Sequence, residues 1–146
     1  MLHGLLKDKQ GMIVGLGSDI CNIGRIEETI EKFGDRFINK IFSDYEKSEM
    51  ERRKKVSERR YACAAAKRFA VKEACSKALG TGLRKGTYWR DMEIVHLPSG
   101  KPTMRLKGMA LEHAKRLVDG GEMSISVTMT DDYPWAQAVV IIEKIK

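Results

Sequence analysis

Apolar residues recur along this chain with two periods, and the switches between them mark out its elements. Residues 12–19 read MIVGLGSD, with strand-forming Ile13, Val14 and Leu16 interleaved by Gly15 and Gly17. Glycine inside a strand admits close backbone approach or a bulge. Ile23, Ile26, Ile30 and Phe33 follow at spacings of 3, 4 and 3, the pattern of an amphipathic helix. Gly34-Asp35 breaks it, and Phe37, Ile38, Ile41 and Phe42 make a second short apolar turn. Ser43 with Glu46 three positions on is a capping-box signature for a further helix running into Met50. Residues 66–79, AKRFAVKEACSKAL, are mostly alanine and straight-chain residues, so helix propensity is high. Gly80-Thr81-Gly82 ends that helix at once, and residues 83–90 read as loop. Period 2 then returns. Residues 92–97 and 103–106 alternate around a Pro98–Pro102 turn, and residues 123–129 and 135–145 around a turn at Thr130–Pro134. Between these hairpins Met109, Leu111, Ala114, Leu117 and Val118 predict a helix over 108–118, closed by Gly120-Gly121.

A strand, then helices, then two hairpins predict an α+β fold in which one main antiparallel sheet packs against the central helix. The 146 residues suit a single domain over 12–146, with residues 1–11 as a flexible extension ahead of it. No repeat or low-complexity segment interrupts it.

Charge narrows the partner. A net charge of +7 favours an anionic substrate or an acidic protein. Cys21, Cys63 and Cys75 lack CxxC spacing, which argues against a disulfide framework or zinc site and fits a reducing cytosol. His3, His96 and His113 are too scattered for a metal cluster, and His113 is expected to be an exposed helix residue. No apolar run approaches the length of a membrane span, and residues 1–11 lack the apolar core of a signal peptide. Residues 51–60, ERRKKVSERR, carry six Lys or Arg against two Glu. This is a solvated face or an anion-binding surface; without interleaved aromatics it has little of a nucleic-acid module.

At 3.6 residues per turn, Phe69, Glu73, Ser76, Lys77 and Gly80 fall on one stripe of the central helix. Locally, Glu73 and Lys77 also fit an ordinary i,i+4 surface pair worth about 0.2–0.5 kcal/mol. Asp19, at the end of the first strand, fits a helix N-cap or a ligand equally well. Taken together, two carboxylates with few other ligands suit Mg²⁺, which completes its shell with water and phosphate oxygens. Lys77 adds a charge for phosphates, the Gly80–Gly82 loop offers backbone N–H groups, and the Gly100-Lys101-Pro102 turn supplies another lysine. These residues describe a site for a diphosphate-containing molecule.

Two motifs carry a resemblance. GLGSDI at 15–20, with Arg25 six residues past the aspartate, and RFAVKEACSKALGTG at 68–82 make the chain similar to the holo-acyl-carrier-protein synthases. These are the small trimeric type of 4′-phosphopantetheinyl transferase, and the resemblance spans residues 12–146. It implies transfer of 4′-phosphopantetheine from coenzyme A to a serine of apo acyl carrier protein, for fatty acid biosynthesis in the cytoplasm. It implies that Asp19 and Glu73 hold Mg²⁺, that Glu73 also orients or deprotonates the serine, and that Lys77 stabilises charge on the phosphates. Arg68, Gly82, Lys101 and Pro102 carry over to the adenine and 3′-phosphate end. Arg25 carries over to carrier-protein docking, with Phe33 and Arg36 extending that surface. A homotrimer with active sites between subunits is implied as well. One departure stands out: where many relatives place a histidine after the S-x-S strand, this chain has Val127 and then Thr128, so Thr128 or Thr130 is left to supply a hydrogen bond. The alternatives are a non-catalytic coenzyme A-binding protein and a basic nucleic-acid-binding module built on residues 51–60.

Overall fold

Why the chain folds around one helix is clearest from its smallest residues. In the computed structural model, which describes residues 11–83 and 86–145, strand β1 (Met12–Asn22) is followed by helices α1 (Ile23–Phe33), α2 (Asp35–Ile41), α3 (Asp44–Lys54) and α4 (Glu58–Leu79). A 3₁₀ turn (Trp89–Asp91) leads into β2 (Met92–His96) and β3 (Pro102–Leu106). Helix α5 (Gly108–Val118) and strands β4 (Met123–Asp132) and β5 (Trp135–Lys144) complete it. The order β1-β5-β4 makes a three-stranded antiparallel sheet, and α4 lies across one face. Ala66, Ala70, Ala74 and Ala78, four apart on α4, are buried, as are Ala136, Ala138, Val140 and Ile142 of β5. Gly15 and Gly17 bring β1 against the carbonyl groups of Ala78 and Ala74, with no room for a Cβ. Helix and strand therefore meet backbone to backbone.

The observed fold is the expected α+β one, with four differences in detail. β1 runs on through Asn22, so Asp19 is a mid-strand residue; the cap of α1 is Asn22, whose Oδ1 accepts from Arg25 N at 3.3 Å. The long helix begins at Glu58, two turns ahead of Ala66, because Ser57 caps it by accepting from Arg60 N at 3.0 Å. The basic run 51–60 is thus split between the end of α3 and the start of α4. β2 and β3 form their own two-stranded sheet. β4 continues to Asp132, leaving only Tyr133-Pro134 as the turn. Residues 1–10 of the expected extension lie outside the described residues.

His113 also departs from expectation. It is buried, because α5 turns Ala110, His113, Ala114 and Val118 inward, and its Nδ1 lies 3.2 Å from Arg116 Nη1. The sheet's outer face is the reverse of its inner one: Leu16 and Ile20 are 64% and 63% exposed. Leu16 stands beside Ile141 in the ladder and Ser18 beside Val139.

Candidate active site

The alternation of β1 turns Gly15, Gly17, Asp19 and Cys21 toward the helix side. The two glycines draw the strand onto α4, so Asp19 emerges where the helix presents Phe69 and Glu73. Asp19, Glu73, Phe69, Phe37 and Arg25 line one cleft of about 340 Å³. Lys77, a turn beyond Glu73, donates to Asp19 Oδ1 at 3.2 Å and to the Ser18 carbonyl at 2.9 Å. The ordinary surface pair between Glu73 and Lys77 is therefore not what forms, since the ammonium reaches across to the strand. The Glu73 carboxyl is held above the usual carboxylate range, first by burial and then by the Asp19 charge, with Lys77 opposing. Two facing hard-oxygen donors, one of them short of positive charge, are a fit for a cation such as Mg²⁺. Among the described residues no third carboxylate, His or Cys joins them. The remaining ligands of such an ion would have to be water and substrate oxygens.

Two residues outside the expected site hold this helix in place. Lys72, next to Glu73, is fully buried; its Nζ donates to Glu46 Oε1 at 2.8 Å and to the Trp89 carbonyl at 2.9 Å. Glu46 closes the predicted capping box by accepting from Ser43 N at 2.8 Å, and its other oxygen accepts from Ile94 N at 2.9 Å. The Trp89 ring stacks on Phe69 with centroids 5.0 Å apart. The capping box was the one available signal for Glu46; a charged pair at buried positions has none in hydrophobic periodicity.

The residues expected to dock a carrier protein adjoin the carboxylates. Phe33 and Arg36 line a second cleft of about 300 Å³, and Thr29 and Phe37 belong to both clefts. Arg36 lies 5.9 Å over the Phe33 ring and Lys32 5.3 Å over it, so an exposed aromatic is framed by cations.

The expected nucleotide residues divide. Arg68 is buried, its Nη1 donates to the Ala64 carbonyl at 3.2 Å, and its Nε has no partner among the described residues. It faces α3 and β2 rather than the carboxylates: the charges acting on it are Glu46, Glu49 and Arg53, and it in turn depresses the His96 imidazole, after burial. His96 pairs with Pro102, so the β2–β3 turn carries Lys101 and Pro102 toward this arginine. Lys101 and Pro102 line a separate cleft of about 510 Å³ with Ser124 and Ser126 of β4. Gly82, at φ +59°, donates its N–H to the Ser76 carbonyl at 3.1 Å, and Gly80 donates to the Lys77 carbonyl at 3.0 Å. Contrary to expectation, both glycine N–H groups are spent on closing the helix and neither is open to a phosphate. Val127 is buried opposite Val140, inside the core, while Thr128 and Thr130 are exposed.

A carboxylate pair under a lysine is a donor set suited to a divalent cation and phosphate oxygens. The family model described as the 4′-phosphopantetheinyl transferase superfamily matches residues 15–138. A holo-[acyl-carrier-protein] synthase of Bradyrhizobium sp. is 53% identical over 135 residues, covering 92% of this chain and 96% of the other. One from Caulobacter vibrioides is 53% identical over 133 residues, covering 90% and 96%. The crystal structure of the Neisseria meningitidis holo-[acyl-carrier-protein] synthase superposes with a TM-score of 0.73 at 35% identity, covering 91% of this chain and 100% of that one. The Helicobacter pylori enzyme in complex with coenzyme A does so with a TM-score of 0.69 at 28% identity, covering 87% and 98%. The chain belongs to the 4′-phosphopantetheinyl transferase superfamily, in its holo-[acyl-carrier-protein] synthase family.

Proposed function

We propose that this chain transfers the 4′-phosphopantetheine arm of coenzyme A to a serine of apo acyl carrier protein, yielding the holo protein and adenosine 3′,5′-bisphosphate for fatty acid biosynthesis. The observation that carries this is the convergence of Asp19, Glu73 and Lys77 at one cleft in a chain of this family. In the reaction the serine oxygen bonds to the phosphorus bearing pantetheine, the bond to the bridging oxygen breaks, and the serine proton leaves. Asp19 and Glu73 would hold Mg²⁺, which when bound neutralises the diphosphate and polarises the reacting phosphorus. Glu73 faces the same cleft, a position from which to orient the serine or accept its proton, directly or through water. Lys77 has the reach to donate to phosphate oxygens and steady the leaving group. Arg25, Phe33 and Arg36, beside the carboxylates, suit an acidic carrier protein, which is consistent with the net charge of +7.

Arg68, whose Nε is unpartnered among the described residues, together with Lys101 and Pro102, is our candidate for the 3′-phosphate and adenine end. In the single chain Lys101 and Pro102 line a different cleft from the carboxylates. A homotrimer with sites between subunits would let one subunit supply each part, and the exposed Leu16 and Ile20 on the open sheet face suit such an interface. No helix among the described residues is long and apolar enough to cross a membrane. We place the reaction in the cytoplasm with its substrates.

Intact-mass spectrometry of apo acyl carrier protein after incubation with this protein, coenzyme A and Mg²⁺ tests the proposal, with an EDTA control. The expected result is a gain of one phosphopantetheine that the chelator abolishes. No gain, from folded protein that still binds coenzyme A, would favour the non-catalytic alternative and make Val127 the first residue to change.

A further inference from the structure

The seam that carries Asp19 and Glu73 is smooth. Ala66, Ala70, Ala74 and Ala78 of α4 meet Gly15 and Gly17 of β1, and none of these presents a knob long enough to index the helix against the strand. Something else must fix how far α4 is rotated and slid, because the meeting of the two carboxylates depends on it.

We infer that Lys72 is a positioning residue for this reaction, setting the register of α4 so that its neighbour Glu73 faces Asp19. This rests on the function proposed above. Lys72 and Glu46 are both fully buried, at 0% side-chain exposure, and the two bonds of Lys72 tie α4 to α3 and to the 3₁₀ turn. Lys72 Nζ reaches Glu46 on α3 and the Trp89 carbonyl on the 3₁₀ turn; Glu46 reaches Ser43 N at the start of α3 and Ile94 N on β2. Through Trp89 the same ammonium holds an indole against Phe69, which walls the carboxylate cleft one turn before Glu73. A buried ion pair is weak evidence for stability, since apolar residues of similar volume often serve as well; its best-attested use is to specify register. Rotating α4 by one residue, about 100°, would carry Nζ away from both Glu46 and the Trp89 carbonyl, so the buried pair is satisfied at one rotation of the helix.

The test is the pair of substitutions Glu46→Gln and Lys72→Met made together, with Lys72→Arg alongside. Mg²⁺ affinity is read by calorimetry, kcat and KM by transfer, and folding by cooperative thermal unfolding. If Lys72 positions Glu73, the folded double variant loses metal affinity about 10- to 100-fold, as outer partners of metal ligands do. Its kcat falls in parallel while KM for coenzyme A is unchanged. A folded double variant with wild-type Mg²⁺ affinity and kcat overturns the inference. Should the double variant not fold, Lys72→Arg decides, because it keeps the charge and donors at a different length. The same kcat loss supports the inference, and wild-type behaviour refutes it. Crystal structures give a readout independent of turnover: the variant should move Glu73 away from Asp19 by about 1 Å, enough to matter in a pre-organised site. An unmoved Glu73 overturns the inference. Wild-type protein that transfers nothing would instead sink the proposed function, and the structural comparison would still decide this one.

Discussion

Gly17→Ala inserts one methyl group at the seam between β1 and α4. An ideal Cβ there lies 2.8 Å from Ala74 C and 2.8 Å from Ala78 N, and closer still to the Ala74 carbonyl oxygen. Those atoms are backbone, so no side chain can swing aside. The two 2.8 Å contacts alone require the strand to retreat by about 0.6 Å to reach the 3.4 Å at which ordinary contact begins, and the carbonyl oxygen requires more than an ångström. Overfilling a tight core costs about 1–3 kcal/mol, partly offset by the lower chain entropy of alanine. For a domain of this size that is a fall in Tm of roughly 3–10 °C. The wedge also acts between the carboxylates, since Asp19 is two residues along β1 and Glu73 adjoins Ala74. Transfer efficiency should drop by about tenfold or more, because misplacement of about 1 Å is expensive in a positioned site. Thermal unfolding followed by circular dichroism and steady-state transfer kinetics read both effects. A Gly17→Ala protein with wild-type Tm and kcat/KM would show that β1 and α4 are not seated backbone to backbone, and the account of how Asp19 meets Glu73 would fall with it.

Asp19→Ala and Glu73→Ala should each abolish Mg²⁺-dependent transfer with the circular dichroism spectrum intact; near-normal turnover in either removes that residue from the metal pair. The raised Glu73 pKa also has a stability consequence. The folded state keeps that proton over a pH range where the unfolded chain has lost it, so metal-free stability falls as pH rises through that range. In chelating buffer Glu73→Gln should therefore unfold at a higher temperature than wild type at neutral pH and gain nothing well below the carboxylate range; equal Tm values at neutral pH refute this. Arg25→Ala should raise KM for carrier protein while leaving KM for coenzyme A unchanged, and equal effects on both would take Arg25 off the docking surface. Arg68→Met should weaken binding of coenzyme A more than that of dephospho-coenzyme A in calorimetric titrations, whereas a uniform loss would assign Arg68 a purely structural part.

What was legible in the sequence follows from which forces leave a periodic trace. The stripe Ile23, Ile26, Ile30 and Phe33, the two hairpins and the Gly80 stop were visible because apolar spacing and turn chemistry are local. Asp19, Glu73 and Lys77 were visible through the motifs around them. The length of α4 was not, because its first two turns carry Arg59 and Arg60 and are signalled only by the Ser57 cap. The Lys72–Glu46 pair was hidden for the opposite reason. Charged residues are read as exposed, and only tertiary partners 26 residues apart make these two buried. His113 failed in the same way, since α5 buries it on a stripe set by its alanines. The hydrogen bonds that occupy the Gly80 and Gly82 N–H groups are likewise a product of closure, which composition does not record.

Cys21 lines the carboxylate cleft, and Cys63 and Cys75 are buried elsewhere. Burial, then the Asp19 and Glu73 charges, push the Cys21 thiol up to about 11, and burial pushes Cys75 to about 12. At neutral pH only about one Cys21 in ten thousand is then a thiolate, the form that oxidants and alkylating agents attack. The sulfur nearest the chemistry is thus a bystander held in its unreactive thiol form. Turnover should need no added reductant, and inactivation by a thiol reagent would report opening of the fold rather than modification of a working site.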